Sequence, residues 1–192
     1  MESYQKMRII SGSFKGRSIK FLKNSNTRPL KDSVRENIFN ILEHSHTIKP
    51  KIKNSNILDL YSGIGSFGIE CISRGAKSIT FVDQDVSATK ILKENLTYLS
   101  IINKSKVFNI KIEKFLINDS KEKYNIFFLD PPFKDFNFLQ NLKLIKKKNI
   151  FNQNHLVIIH REKKNKDEFH GILNTIEIKE YGRSKIIFGV FT

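Results

Sequence analysis

The stretch Ile57 to Gly68, Ile-Leu-Asp-Leu-Tyr-Ser-Gly-Ile-Gly-Ser-Phe-Gly, constrains this chain more than any other. Ile57, Leu58, Leu60 and Tyr61 form a short apolar run that suits a buried strand, and glycines at 63, 65 and 68 follow as a helical pattern begins. Gly63 serves a tight turn, Gly65 lets backbone approach a ligand, and Gly68 lets the helix lie close on the strand. A strand, a glycine turn and a helix N-terminus together build a nucleotide pocket. Asp83 stands 20 residues after Gly63, at the end of the strand expected over Ser78 to Val82. An acid at that strand end accepts hydrogen bonds from both ribose hydroxyls; a plain turn aspartate is the alternative.

Strands and helices alternate along the rest of the chain. Residues 7–22 read as two short strands punctuated by Gly12 and Gly16. A helix runs from Asp32 or Ser33 to about Glu43 on the stripe Val34, Ile38, Ile41 and Leu42, and polar residues 44–55 link it to the main domain. After strand 56–61 the helix stops at Arg74, with Gly75 as its left-handed cap. Asp85 caps a helix over 86–99, and 105–110 and 112–118 read as a strand and a short helix. Tyr124 to Leu129 is almost continuously apolar, as a central parallel strand is. A lysine-rich helix ends at Lys148, His155 to His160 form a fifth strand, and Ile172 to Lys179 and Lys185 to Phe191 form a final hairpin. Such alternation argues for a parallel sheet with helices on both faces, with strands one and four side by side.

That arrangement brings the glycine turn and Asp130-Pro131-Pro132-Phe133 to one crevice. Two prolines remove two amide donors and leave carbonyls free, so the loop is rich in acceptors. Asp130 and the Pro131 carbonyl suit the two N–H groups of an exocyclic amine, and Phe133 suits the flat ring that bears it. Cys71 has no basic neighbour in sequence and reads as a core thiol.

The formal net charge is +15, which points to an anionic partner such as nucleic acid. A/T-rich codons would also raise the lysine count, but the charge is uneven. Residues 1–51 carry 11 Lys and Arg against 4 Asp and Glu, whereas 52–133 carry 11 against 9. In the N-terminal hairpin, basic residues interleave with Phe14 and Phe21. This suits phosphate and base contacts, and equally an edge hairpin whose charges deter aggregation. A single cysteine rules out an internal disulfide and fits a reducing cytoplasm, and no apolar run approaches the length of a membrane span.

Asp130 to Phe133 resembles the (Asp/Asn)-Pro-Pro-(Tyr/Phe) motif of amino-methyltransferases that use S-adenosylmethionine. Arg8 to Arg17, Arg28 to Phe39, the glycine turn with Glu70 and Ser73 to Ala76, and Tyr181-Gly182-Arg183 are in turn similar to the bacterial RsmD family. The resemblance covers nearly the whole chain. It implies an α/β class I methyltransferase fold, Rossmann-like, with a seven-stranded, mostly parallel sheet. A basic hairpin-and-helix extension would occupy residues 1–51 and the catalytic domain 52–192.

The implied reaction is methyl transfer from S-adenosylmethionine to the N2 amine of a guanine in small-subunit (16S) ribosomal RNA. The implied catalytic residues are Asp130, Pro131, Pro132 and Phe133. Candidate cofactor contacts are Asp59, Ser62, Gly63, Gly65, Gly68, Asp83 and Gln84, and candidate RNA contacts are Arg8, Lys15, Arg17, Arg28 and Arg35. The expected partner is ribosomal RNA within a small-subunit assembly particle, with no metal, no membrane and a monomeric state. Lys111 stands where the family often has an acid near the adenine, and Gln84 where an apolar residue often follows the strand-two acid.

Rival readings fit less of the chain. A nicotinamide dehydrogenase leaves Asp130 to Phe133 without a role. A DNA or RNA methyltransferase of adenine N6 or cytosine N4 shares the motif, and a non-catalytic RNA-binding protein would share the fold. A cytosine-C5 enzyme needs a thiolate beside proline, which Cys71 does not supply.

Overall fold

The computed structural model describes residues 4–22, 30–118 and 122–192. The chain opens with the hairpin β1 (Tyr4–Arg8) and β2 (Ser18–Leu22), then α1 (Asp32–His44). There follow β3 (Asn56–Leu60), α2 (Ser66–Ser73), β4 (Ser78–Asp83), α3 (Val86–Tyr98), β5 (Ser105–Asn109), α4 (Ile112–Asn118) and β6 (Tyr124–Leu129). The last elements are α5 (Phe138–Lys148), β7 (Phe151–Glu162), β8 (Leu173–Tyr181) and β9 (Ser184–Phe191).

Seven strands form one sheet in the order β5-β4-β3-β6-β7-β9-β8, parallel from β5 to β7 and antiparallel at β9 and β8. The Rossmann-like class and the adjacency of the first and fourth sheet strands agree with the sequence reading. β3 pairs with both β4 and β6, with Asp59 opposite Phe81 and Phe128.

Alternation along the strands sorts the core into two layers. Ile57, Phe81 and Phe128 face the side covered by α1, α2 and α3, whereas Leu58, Leu60, Phe127 and Leu129 face α4 and α5. The helices start where their sequences allow. Asp85, for example, accepts the Ala88 N–H at 2.9 Å and so caps α3. Gly75 takes φ 91° just past α2.

The N-terminal segment is built into this core. Phe39 of α1 stacks on Phe67 of α2 at 5.2 Å between centroids, and Phe67 stacks on Phe128 of β6 at 4.0 Å. Apolar packing therefore runs through the boundary drawn at residue 51. Two element bounds also shift. β7 is longer than the expected 155–160, because it pairs with both β6 and β9 and its ladder with β6 has an irregularity near Tyr124. The first hairpin begins at Tyr4, ahead of residue 7.

Candidate active site

β3 ends at Leu60, and the chain then turns through Tyr61 at φ 58°, a left-handed conformation that side-chain-bearing residues seldom take. Behind this turn, a Cβ on Gly65 would lie 2.4 Å from Leu92 Cδ1, and one on Gly68 would lie 2.3 Å from Phe81 Cε1. Gly68 thus lets α2 lie on the sheet, as its spacing suggested. Gly65 departs from expectation. Its missing side chain makes room for Leu92 of the core, and neither glycine lines the cleft beyond the turn.

That cleft, about 960 Å³, opens over the carboxyl ends of β3, β4 and β6. Asp59, Ser62, Gly63, Asp83 and Gln84 line one side, and Asp130 to Phe133 line the other. The two stretches that sequence reasoning placed together do share one space. Lys111, at the start of α4, faces it as well.

Asp59 is buried on β3. Its Oδ2 accepts the Gly68 N–H at 3.1 Å, while Oδ1 is buried without a partner among the described residues. Burial pushes the Asp59 carboxyl well above the ordinary carboxylate range, and the Gly68 N–H only partly opposes this. The Ser62 hydroxyl, also in the cleft wall, has no partner either. Asp83 is bound on both oxygens: Oδ2 accepts the Gly63 N–H at 2.7 Å and Oδ1 the Asp85 N–H at 2.8 Å. Asp83 is thus both a strand-end turn residue and a cleft acid. Burial raises its carboxyl, with the two N–H groups pulling the other way.

Among the described residues, six acids line the cleft (Asp59, Asp83, Asp85, Glu113, Asp130 and Asp135) against Lys111 and His160. In a chain of net charge +15 this is a local reversal of sign, and it suits a ligand that carries positive charge. Buried unpartnered polar atoms beside backbone turns are where such a ligand's polar groups find partners.

The loop after β6 is held more tightly than its prolines suggested. The Asp130 N–H lies 3.4 Å from the Leu60 carbonyl, which joins the tips of β6 and β3. The Pro132 carbonyl accepts the Asp135 N–H at 2.8 Å and Arg161 Nη1 at 3.2 Å, and the Phe133 carbonyl accepts Asn165 Nδ2 at 2.8 Å. These two carbonyls are therefore not free acceptors, which corrects the sequence reading. The Pro131 carbonyl has no partner among the described residues, and Asp130 keeps its carboxylate at the cleft.

Arg161 itself is fully buried. It pairs with Asp167 at 3.0 Å and lies over the Phe138 ring at 4.4 Å, so it braces the loop from behind.

Sequence reasoning gave no site role to His160, Tyr61, Glu113 or Asp135, all of which line the cleft. His160, the residue after Ile159 on β7, places Nδ1 2.7 Å from Asp130 Oδ1. Its signal was positional: a polar side chain directly after the apolar run Leu156 to Ile159, at the carboxyl end of the sheet. Tyr61 receives Asn141 Nδ2 on its hydroxyl at 3.0 Å, and burial followed by Asp135 pushes its pKa up. Glu113 supplies an acid two residues beyond Lys111, and Asp135 comes from the loop after β6 itself.

The expected RNA-contacting residues divide. Arg8, Lys15 and Arg17 are exposed, and the Arg17 guanidinium lies 4.9 Å from the Tyr98 ring centroid. Arg28 lies outside the described residues. Arg35 must be reassigned, since it is 1% exposed and faces inward. Its Nη2 donates to the Arg8 carbonyl at 2.7 Å and to Asp32 at 3.0 Å, which ties α1 to the hairpin. Position 35 precedes the core residue Phe39 by one helical turn, so it lies on the buried stripe.

A second tie runs from α2. The Glu70 carboxylate accepts the N–H groups of Ile10 and Ser11 at 2.8 and 2.9 Å, and Ser73 Oγ accepts the Phe14 N–H at 3.0 Å. The motif residues Glu70 and Ser73 thus hold the N-terminal hairpin on the catalytic core. Cys71 is the buried core thiol expected, with burial pushing its pKa up.

A family model described as Conserved hypothetical protein 95 matches residues 7–190. The chain is 37% identical over 156 residues to the ribosomal RNA small subunit methyltransferase D of Buchnera aphidicola subsp. Baizongia pistaciae, covering 81% of this chain and 76% of that one. The solved structure of yhhF from Escherichia coli superposes with a TM-score of 0.83 at 25% identity, covering 96% of this chain and 97% of that one. A Pyrococcus abyssi tRNA (uracil-54, C5)-methyltransferase in complex with S-adenosyl-L-homocysteine shares the fold. Its TM-score is 0.70 at 15% identity, over 97% of this chain and 44% of that one.

Proposed function

Because the chain belongs to the family described as Conserved hypothetical protein 95, the RsmD family of ribosomal RNA methyltransferases, we propose that its cleft methylates the N2 amine of a guanine. The enzyme is S-adenosylmethionine-dependent and acts on small-subunit ribosomal RNA. The observation that carries the amine reading is the shared cleft, in which an acid-lined turn faces two acceptors, Asp130 and the Pro131 carbonyl, and family membership supports guanine as the base.

When bound, the cofactor supplies an electrophilic methyl group on a sulfonium. The residues present fit it. Asp59 and Ser62, with their unpartnered oxygens, would hold the amino-acid end, and Asp83 the ribose. Gln84, Ala88, Lys111 and Ile112 line the rest of that wall, where the adenine would sit.

On the substrate side, Asp130 and the Pro131 carbonyl grip the two N–H groups of the amine. This draws the nitrogen lone pair out of conjugation and turns it toward the cofactor. Positive charge that grows on that nitrogen meets the Asp130 carboxylate, which was oriented before reaction and needs no rearrangement. Holding amine and methyl group in line supplies much of the acceleration. Phe133 stacks on the base, which must be unpaired or leave its stack. No strong base is needed, because a methylated exocyclic nitrogen is acidic and sheds its proton readily.

The exposed Arg8, Lys15 and Arg17 would hold the phosphates of the RNA, presented within a small-subunit assembly particle. Mass mapping of methylated nucleotides in ribosomal RNA from cells with and without this protein tests the reading. One N2-methylguanine should vanish from small-subunit RNA. A modified base lost from DNA, or no change, would refute it.

A further inference from the structure

His160 has no role in the account above. It lies near the carboxyl end of β7, the parallel neighbour of β6, and Leu129 pairs with Ile159 across that ladder. The next residues, Asp130 and His160, therefore stand side by side. An ionised carboxylate only accepts hydrogen bonds, so the ring proton lies on Nδ1, 2.7 Å from Asp130 Oδ1. The other ring nitrogen, Nε2, is buried and has no partner among the described residues.

This orphaned nitrogen is informative. A buried polar atom left unmatched costs stability, and the positions just before it on the strand, Leu156 to Ile159, are buried aliphatic residues. Among the described residues, the imidazole hydrogen-bonds to Asp130 alone. The ring also meets Phe133 edge-on, with centroids 5.4 Å apart and planes at 76°. It is wedged between the carboxylate that grips the amine and the aromatic ring that flanks the base. Asp130 Oδ2 has no partner among the described residues and is left for the substrate. An Asp–His pair suggests a proton relay, but Nε2 meets no acceptor or donor among the described residues that would carry a proton onward, so the geometry favours orientation over relay.

We propose that His160 is a positioning residue: its Nδ1–H pins one oxygen of Asp130 so that the other stays turned to the target amine. This rests on Asp130 being the group that grips the amine.

The test compares three variants in single-turnover methylation of small-subunit RNA at saturating cofactor, with S-adenosylhomocysteine titrated by calorimetry. His160→Asn keeps an N–H near the place of Nδ1. His160→Gln moves it toward Nε2, and His160→Phe removes it while keeping a ring. Misplacing a reacting group by about 1 Å costs on the order of 100-fold, so His160→Phe and His160→Gln should slow the chemical step by about 30- to 100-fold. His160→Asn should stay within about fivefold of wild type, and the KM for RNA and the Kd for S-adenosylhomocysteine should move by less than about threefold in all three.

Should His160→Phe fail to fold, the contrast between Asn and Gln decides alone. Equal rates for those two, undiminished activity in the Phe variant, or a cofactor Kd that shifts in step with rate would overturn the inference. Asp130→Ala is measured beside them. Full activity there sinks the underlying reading of Asp130, whereas inactivity there beside an unimpaired His160→Phe sinks only the role of His160.

Discussion

Asp83→Ala separates the two jobs that the structure gives this acid. Its carboxylate spans two turns, accepting Gly63 N–H at 2.7 Å and Asp85 N–H at 2.8 Å. A carboxylate has about four lone-pair sites, so two remain for the two ribose hydroxyls. Hydrogen bonds to a charged group contribute about 1.5–3 kcal/mol each, and two on one group are not additive, so the cofactor should lose about 2–4 kcal/mol of binding. That is roughly 30- to 1000-fold in Kd.

Fold stability should change far less. Burial already raises the Asp83 carboxyl, so its charge is held at a cost. Gly63 also lies in the cleft wall, where its freed N–H can meet water. A loss of about 1–2 kcal/mol corresponds to a Tm drop of roughly 2–8 °C for a chain of this size. Calorimetric titration with S-adenosylhomocysteine, alongside thermal melts of the free protein, reads both quantities. At saturating cofactor the methylation rate should stay near wild type, because Asp83 does not touch the amine. A Kd within about threefold of wild type, or an affinity loss explained by global unfolding, would refute the reasoning.

Other consequences are as direct. Asp59→Asn should raise the stability of the cofactor-free protein while weakening cofactor affinity. The folded pKa of Asp59 is raised, so its charge opposes folding, absent below the unfolded carboxyl pKa and growing as pH rises through the folded value. The gain should therefore be present near neutral pH and vanish by about pH 3–4, as melts across pH would show. Glu70→Ala should cost about 3–5 kcal/mol in urea unfolding, since it strands the Ile10 and Ser11 N–H groups and half of the Arg74 pairing. It should also weaken RNA binding, by loosening the hairpin. Replacing Arg8, Lys15 and Arg17 by neutral residues should make the slope of log K against log salt shallower by about 2. An unchanged slope would leave the hairpin as a protected edge and nothing more.

Much of this molecule was legible in the chain. The run of strands and helices, the capping Asp85, and the residues of the glycine turn and of Asp130 to Phe133 all follow from local rules. Periodicity, φ preference and missing amide donors act over a few residues. Parallel-sheet topology then implied that the glycine turn and Asp130 to Phe133 share one cleft, as they do. What local rules misjudged was the inside of the protein. Arg35 reads as one more basic residue on a basic extension, yet it lies one helical turn before Phe39 and its guanidinium is spent on the Arg8 carbonyl. The Pro132 carbonyl looked free because Arg161 is 29 residues away in sequence. Gly65 seemed to make way for a ligand until Leu92 filled the space behind it.

The order of residues alone therefore determined the sheet, its nucleotide-type crevice and the residues at the two strand tips. Only tertiary packing decided which polar atoms are already taken, which stay unmatched, and that His160 stands beside Asp130. Strand pairing and burial join groups that lie far apart along the chain, and whether a lone pair is free depends on those distant neighbours.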